Sequence, residues 1–544
     1  MIYPGQFLVS DYFWQFGGDL EGVQDCTNAI RQCCATAEAY AQAHSNQGVE
    51  IVFPAGEMKV LDPSSGNNSL WGFAAGLKGI HLRNLGCKFV VSSAFPHSPY
   101  TNAYRLFAFT DCEDVVVDEW VVSAPAVNTT GADGFKGVAF CYFIGKCRNV
   151  SALGGDFTGV STTFLIPAET GTGRARDFRF GVVRATNCIY GIAGQDNGDD
   201  VHIELLDCDD TFRPFVIYGV RHWDIRCKTK NSRGRAEMNG TSGGIGDVPT
   251  GCEDIRILYD DRESTACTSD VRLVSHMGVT PCAFKRISIT FLIDYIASAG
   301  TGSGGPPLLI EKVNGTTPDP IDRGHELSGW TIAGLITGTP GTNGWTDSPA
   351  IFMDPAARWG TGEIIRNFCI DGLQLQGAGA IDLQMDPLKD VAVLKNVVSD
   401  AVVRLRKAAS IDTTLSGNIV VDGCSFPNLD VDVTGPPAGK ALTVGRLKMI
   451  TPTLLNSWAN YDPSTYAPAA FTKTADGVVH IEGLVKDGTS DLVFILPVGY
   501  RPPTNTQFAQ IANSAFARLE VQSDGHVRAY GSNANHWLTA TFRV

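Results

Sequence analysis

Short apolar runs, each opened by a polar turn residue, recur along most of this chain. Cys112-Glu113-Asp114-Val115, Cys147-Arg148-Asn149-Val150 and Cys252-Glu253-Asp254-Ile255 share one pattern: Cys, a charge, Asp or Asn, then a β-branched residue. Looser echoes fall at Arg176-Asp177-Phe178, Asp199-Asp200-Val201, Ile365-Arg366-Asn367-Phe368 and Leu388-Lys389-Asp390-Val391. Asp and Asn favour turns, and β-branched residues favour strands. The predicted strands start near Ile80, Val115, Val150, Phe178, Val201, Ile225, Ile255, Ile287, Ile332, Phe368, Val391 and Ile419. Their spacing, about 22 to 45 residues, is that of a solenoid with loops of variable length. Alternation in Ile255-Arg256-Ile257-Leu258 and Ile287-Ser288-Ile289-Thr290 turns one strand face inward.

Two regions depart from this rhythm. Residues 25–44 predict a helix, with Asp25 as cap and Ile30, Cys33, Cys34, Ala37 and Ala41 as its apolar stripe. From about residue 450 aromatic residues and strand pairs with turn signals predict a small antiparallel sandwich. The expected division is 1–78 as N-terminal segment and cap, 79–434 as coil, 435–449 as linker and 450–544 as C-terminal β domain. Gly-, Ser- and Pro-rich stretches at 299–307 and 338–349 read as excursions from the coil.

Composition adds limits. The 544 residues can bury a large core. A net charge of -14 argues against a nucleic-acid binder. Fifteen Cys without a CxxC pair or zinc-ligand spacing predict buried packing thiols and no metal site, with one or more disulfides as the alternative. No cofactor motif is present. Met1-Ile2-Tyr3-Pro4-Gly5 has no secretory-signal pattern, and no run of 18 apolar residues spans a membrane.

Val9-Ser10-Asp11-Tyr12, Gly17-Gly18-Asp19, Asp25-Cys26-Thr27-Asn28-Ala29-Ile30 and Val52-Phe53-Pro54-Ala55-Gly56 together resemble the opening of the pectate-lyase-like superfamily. Phe13-Trp14-Gln15 stands where that family has a small Gly-Ala. Trp458, Tyr461, Ile481-Glu482-Gly483, Leu496-Pro497-Val498-Gly499-Tyr500-Arg501-Pro502 and Asp524-Gly525-His526-Val527 resemble the terminal β domain of phage tail fibres and tailspikes. The resemblance implies an all-β chain: a right-handed parallel β-helix with an N-terminal capping helix and a C-terminal antiparallel β-sandwich. It also implies a virion-tail protein, made in the host cytoplasm, that forms homotrimers, joins other tail or baseplate proteins, and binds and depolymerises a bacterial surface polysaccharide. A non-enzymatic receptor-binding or structural tail protein is the rival, and a secreted pectinase-like enzyme is a further one.

Glycoside hydrolysis needs two carboxyl groups roughly 5–9.5 Å apart. A lyase needs a base and a cation beside an acidic sugar. Residues 174–237 hold eleven Lys/Arg and ten Asp/Glu, a density about twice that of the chain, so the site is sought there. Asp209, Asp210 and Glu237 are the candidate catalytic residues. Arg213, Tyr218, Arg221, His222 and Trp223 are the candidate substrate-binding residues, the rings to stack on sugars and the charges to bind hydroxyls. Residues one rung apart should stack: Asp199-Asp200 with Arg221-His222, and Asp209-Asp210 with Arg233 and Arg235. A solvated charged surface and a structural His222 are the alternatives. Trp330, Trp345 and Trp359 with Phe352 mark a second aromatic region, read as core or rim packing or as a sugar-stacking site.

Overall fold

The computed structural model describes residues 5–44, 47–61, 69–92, 104–124, 137–167, 174–195, 197–232, 234–240, 251–262, 273–277, 283–294, 308–312, 326–337, 351–353, 364–376, 381–384, 391–399, 403–406, 418–422, 424, 429–432, 450–473 and 478–544. The excursions at 299–307 and 338–349, with Trp345, Trp359 and Arg233, lie outside these. The chain divides into two compact units, Met1–Leu442 and Thr443–Val544.

The first unit is a right-handed parallel β-helix. Its strands form a first sheet of 21 and a second of 13 among the described residues, parallel throughout. The chain alternates between the sheets, so each turn of the coil adds a strand to both. Strand Asp199–Asp209 of the first sheet is followed by Arg213–Tyr218 of the second, then Arg221–Lys230 of the first and Ala236–Asn239 of the second. In early rungs the first sheet consists of two strands per turn, such as Glu113–Val117 and Trp120–Ser123. From Arg148–Thr158 to Ala283–Asp294 one long strand spans both positions, the first of them pairing with both of those earlier strands, and beyond it the two strands separate again as Glu326–Ser328 and Thr331–Thr337. Parallel pairing begins already at Gln6–Leu8, which runs beside Val49–Phe53.

The recurring phrase forms a corner near the start of successive first-sheet strands. Asp114, Asn149, Asp177, Asp200, His222, Asp254, Arg286 and Asn367 all have φ between 52° and 63°. This left-handed conformation suits Asn and Asp, whose short side chains bond locally. The residue after it points inward. Ile80, Val115, Val150, Phe178, Val201, Trp223, Ile255 and Ile287 are successive register partners. Two residues on, a second ladder runs Ile51, Leu82, Val117, Ala152, Phe180, Ile203, Ile225, Ile257, Ile289, Ile332, Ile370 and Leu394. All are at most 1 % exposed, and a fully buried side chain of this kind contributes roughly 1.5–3 kcal/mol.

The phrase's cysteines occupy equivalent corners: the Cys112 carbonyl accepts from Arg148 N–H, and the Cys147 carbonyl from Arg176 N–H. The thirteen described cysteines are all free. Trp330 is core, its indole N–H donating to the Phe284 carbonyl at 3.2 Å. Helix Thr27–Ala43 covers the N-terminal end with Ile30, Cys33, Cys34, Ala37 and Ala41 fully buried. Its N-cap residue is Cys26, and the expected cap Asp25 stands one residue earlier, accepting from Thr27 N–H at 3.0 Å.

The second unit packs two antiparallel sheets, one of seven strands and one of three, face to face. Phe471, Val479 and Ile481 from the smaller sheet meet Val485, Val493, Phe494, Leu519, Val521 and Val527 from the larger in one core. This is the expected sandwich.

Candidate functional site

A buried carboxylate stands on the outer face of the second sheet. In strand Ala236–Asn239, Ala236 and Met238 point into the core, so Glu237 points the other way. Its register partner is Val216, in the row Tyr142, Leu165, Ala193, Val216 and Glu237. Glu237 is 3 % exposed, and a buried charge persists only when paired. Three donors pair it. Arg213 Nη1 donates at 3.0 Å, Arg235 Nε at 3.3 Å and Asn239 Nδ2 at 3.2 Å.

Around this centre lies an aromatic wall. The Arg213 guanidinium sits 5.8 Å from the Tyr190 ring centroid and 5.3 Å from that of Phe212, a cation–π arrangement. Tyr190, Ile189 and Val216 form a small cluster against which Phe212 and Tyr218 pack. Burial pushes the Tyr190 hydroxyl above its ordinary range, opposed by the nearby Arg213 charge. The Arg213 Nε–H and the Asn239 Oδ1 are buried without partners, leaving one donor and one acceptor unspent beside the carboxylate. Arg213 and Arg235 keep 24 % and 34 % of their side chains exposed. The cluster therefore combines a charge-paired carboxylate, two guanidiniums reaching solvent and tyrosine rings, a set suited to hydroxyl-rich ligands.

Arg213, Glu237 and Tyr218 thus fall together. The other candidates fall elsewhere. Asp209 ends strand Asp199–Asp209, opposite Lys230, and accepts from Asn231 Nδ2 at 3.5 Å. Asp210 is a left-handed turn residue with φ 50°, its N–H bonded to the Lys230 carbonyl. The expected stacking of Asp209-Asp210 on Arg235 gives way to Lys230 because the strand after Arg221 runs on to Lys230 before the chain turns.

Arg221 and His222 belong to the charged corner of the first sheet. Arg221 is in register with Asp199, as the rung period predicts, and its Nε lies 3.5 Å from Glu253. His222 bridges two rungs, Nδ1 at 2.9 Å from Asp200 and Nε2 at 3.2 Å from Asp254. Trp223 requires a correction. It is 1 % exposed and its indole N–H donates to the Gly198 carbonyl at 2.8 Å, so its ring fills the inward slot held elsewhere by Val or Ile and is closed to a sugar. Sequence reasoning placed Arg235 in the charged wall, stacked on Asp209-Asp210 and not on Glu237, and gave no site role to Asn239 or Tyr190. Arg235 and Asn239 flank Glu237 at i−2 and i+2, the same-face spacing of a strand, and that was the available signal.

Among the described residues no group of three His, Cys, Asp or Glu could hold a metal ion, and no helix is long and apolar enough to cross a membrane.

No protein-family model matches the sequence, and no curated protein matches it significantly. Solved structures do. The Dettilon tailspike protein is 10% identical, with 99% of this chain and 94% of that one covered at a TM-score of 0.36. A tailspike mutant of E. coli bacteriophage HK620 in complex with a pentasaccharide is 13% identical over 98% of this chain and 92% of that one, with a TM-score of 0.40. A Yersinia enterocolitica family 28 exopolygalacturonase is 12% identical over 80% and 79%, with a TM-score of 0.41.

Proposed function

We propose that the chain is a virion tailspike that binds and depolymerises a bacterial surface polysaccharide at the Arg213–Glu237 cluster. The observation that carries this reading is Glu237 itself. A carboxylate buried on the outer face of a sheet, clamped by two arginines, costs desolvation that an apolar residue would not, and a few convergent polar groups beside aromatic rings are what a ligand site needs. The tailspike-like C-terminal sequence supports the same reading.

Hydrolysis is the mechanism we favour, with Glu237 as one of the two carboxyl groups it requires. Arg213, Arg235 and Asn239 would hold hydroxyls, and Tyr190 and Tyr218 would line the sugar ring. β-Elimination is favoured by a separate observation: the Arg213 guanidinium lies over the Tyr190 ring, which sets a cation for an acidic sugar beside a phenol that could act as base. Arg221 and His222 would then serve the surface beside the groove. Assembly into a homotrimer belongs to this proposal.

Size-exclusion analysis of polysaccharides from candidate hosts, after incubation with the protein, tests the reading. Shorter chains without ultraviolet absorbance from a new double bond indicate a hydrolase, and shorter chains with it indicate a lyase. Intact but bound chains would leave a binding protein in place of an enzyme.

A further inference from the structure

The first sheet carries a charge arrangement that the groove does not use. On its outer face successive strands alternate in sign: Asp156, Arg184, Asp207, Lys228 and Asp260 are register neighbours in turn. At the corner position the order is Lys78, Glu113, Arg148, Arg176, Asp199, Arg221 and Glu253. Alternation breaks once, where Arg148 meets Arg176. These two are direct register partners, about one strand spacing of 4.8 Å apart, and like charges directly opposite destabilise a sheet.

The flanking acids do not relieve the pair. Glu113 is held by Lys78 Nζ at 2.6 Å. Asp199 takes two hydrogen bonds from Arg174, from Nε and Nη2, both at 2.8 Å. Asp114 accepts from Asn149 Nδ2. Asp177 lies 3.7 Å from Arg176 with both side chains more than half exposed, a contact of little strength. Arg148 has no carboxylate partner among the described residues. Exposed Lys146 and Arg179 lie near the pair along the chain.

We propose that Arg148 and Arg176 form an anion-binding site for a polymer bearing sulfate, phosphate or carboxylate groups, separate from the Arg213–Glu237 cluster. Two guanidinium forks on adjacent rungs can each hold two anionic oxygens, and the parallel register repeats them along the coil axis, the direction in which an extended polymer lies.

The test titrates the full chain at low salt with dextran sulfate, polyphosphate and polygalacturonate, with neutral dextran alongside. The probe bound most tightly identifies the anion. The Arg148→Gln/Arg176→Gln double variant should lose about tenfold or more in affinity, the loss of two charge-assisted contacts. Arg184→Gln removes an exposed arginine paired at 3.2 Å with Asp156 and should bind like the parent protein. Thermal unfolding supplies a second readout: Arg148→Gln relieves repulsion and should leave the melting temperature unchanged or raised. The proposal is overturned if the parent protein binds none of the anionic probes, if the double variant binds them equally, or if Arg184→Gln loses as much. Polysaccharide shortening by the parent protein and by Glu237 variants is a different assay, so failure here leaves the groove reading standing.

Discussion

Glu237 occupies an outward strand position where an apolar or solvated residue would be ordinary. Its burial makes the arginines dependent on it, and it on them. Glu237→Gln should cost about 1–3 kcal/mol, the range for leaving buried hydrogen-bonding groups imperfectly paired, read from urea unfolding. An unchanged midpoint would show that the pairing is not what holds the cluster. Trp223→Ala should cost about 3–5 kcal/mol as a core truncation while leaving polysaccharide affinity per folded molecule intact; weakened affinity in a fully folded variant would return the ring to the groove. The thiols of Cys33, Cys112 and Cys147 are pushed up to about 12, chiefly by burial. A thiol reagent at mildly alkaline pH should therefore spare them in the native protein and label them in urea. Rapid native labelling would contradict their packing role.

The corner element decides which residues the sequence reveals. A charge, a left-handed polar residue and an inward apolar residue recur, and reading that order strictly along Arg221-His222-Trp223 places Trp223 inside. Starting the strand at Ile225 hid this, because His and Trp differ in type from the Asp-Val and Asp-Ile of neighbouring rungs although they fill the same slots. The coil, its N-terminal helix and the sandwich were legible because burial repeats with each turn. The site was only partly so. Arg213 and Glu237 lie 24 residues apart and meet through neighbouring strands of the second sheet, whose inward and outward faces carry no repeated phrase. Asp210 looked chemical and serves as a turn.

The same corner has a testable charge balance. Hydrogen bonds from Arg286 hold the Asp254 carboxyl below its ordinary range, with burial opposing and His222 assisting. A depressed folded-state value stabilises above the unfolded carboxylate value and is lost as pH falls through the folded one. Arg286→Ala should thus cost up to about 1 kcal/mol near neutrality, as for an exposed pair, and nothing in acid. A difference that persists unchanged into acid would place the effect in backbone strain at this left-handed position instead.

At the scale of the molecule, each of the two compact units closes its own core. Calorimetry should resolve more than one unfolding transition; a single transition with equal calorimetric and van't Hoff enthalpies would show the units unfolding as one. A parallel coil also aligns equivalent residues along one axis, which suits an extended chain-like ligand better than a compact one. We propose that such a ligand is a polysaccharide, cut at the Glu237 cluster. The direct measurement compares the parent protein with Glu237→Gln on one host polysaccharide by size exclusion, after both are shown to be folded. Shortened chains are expected with the parent protein and intact chains with the variant. Equal shortening by both would contradict the assignment of the site, and intact chains with both, across polysaccharides that include the true host's, would contradict the activity.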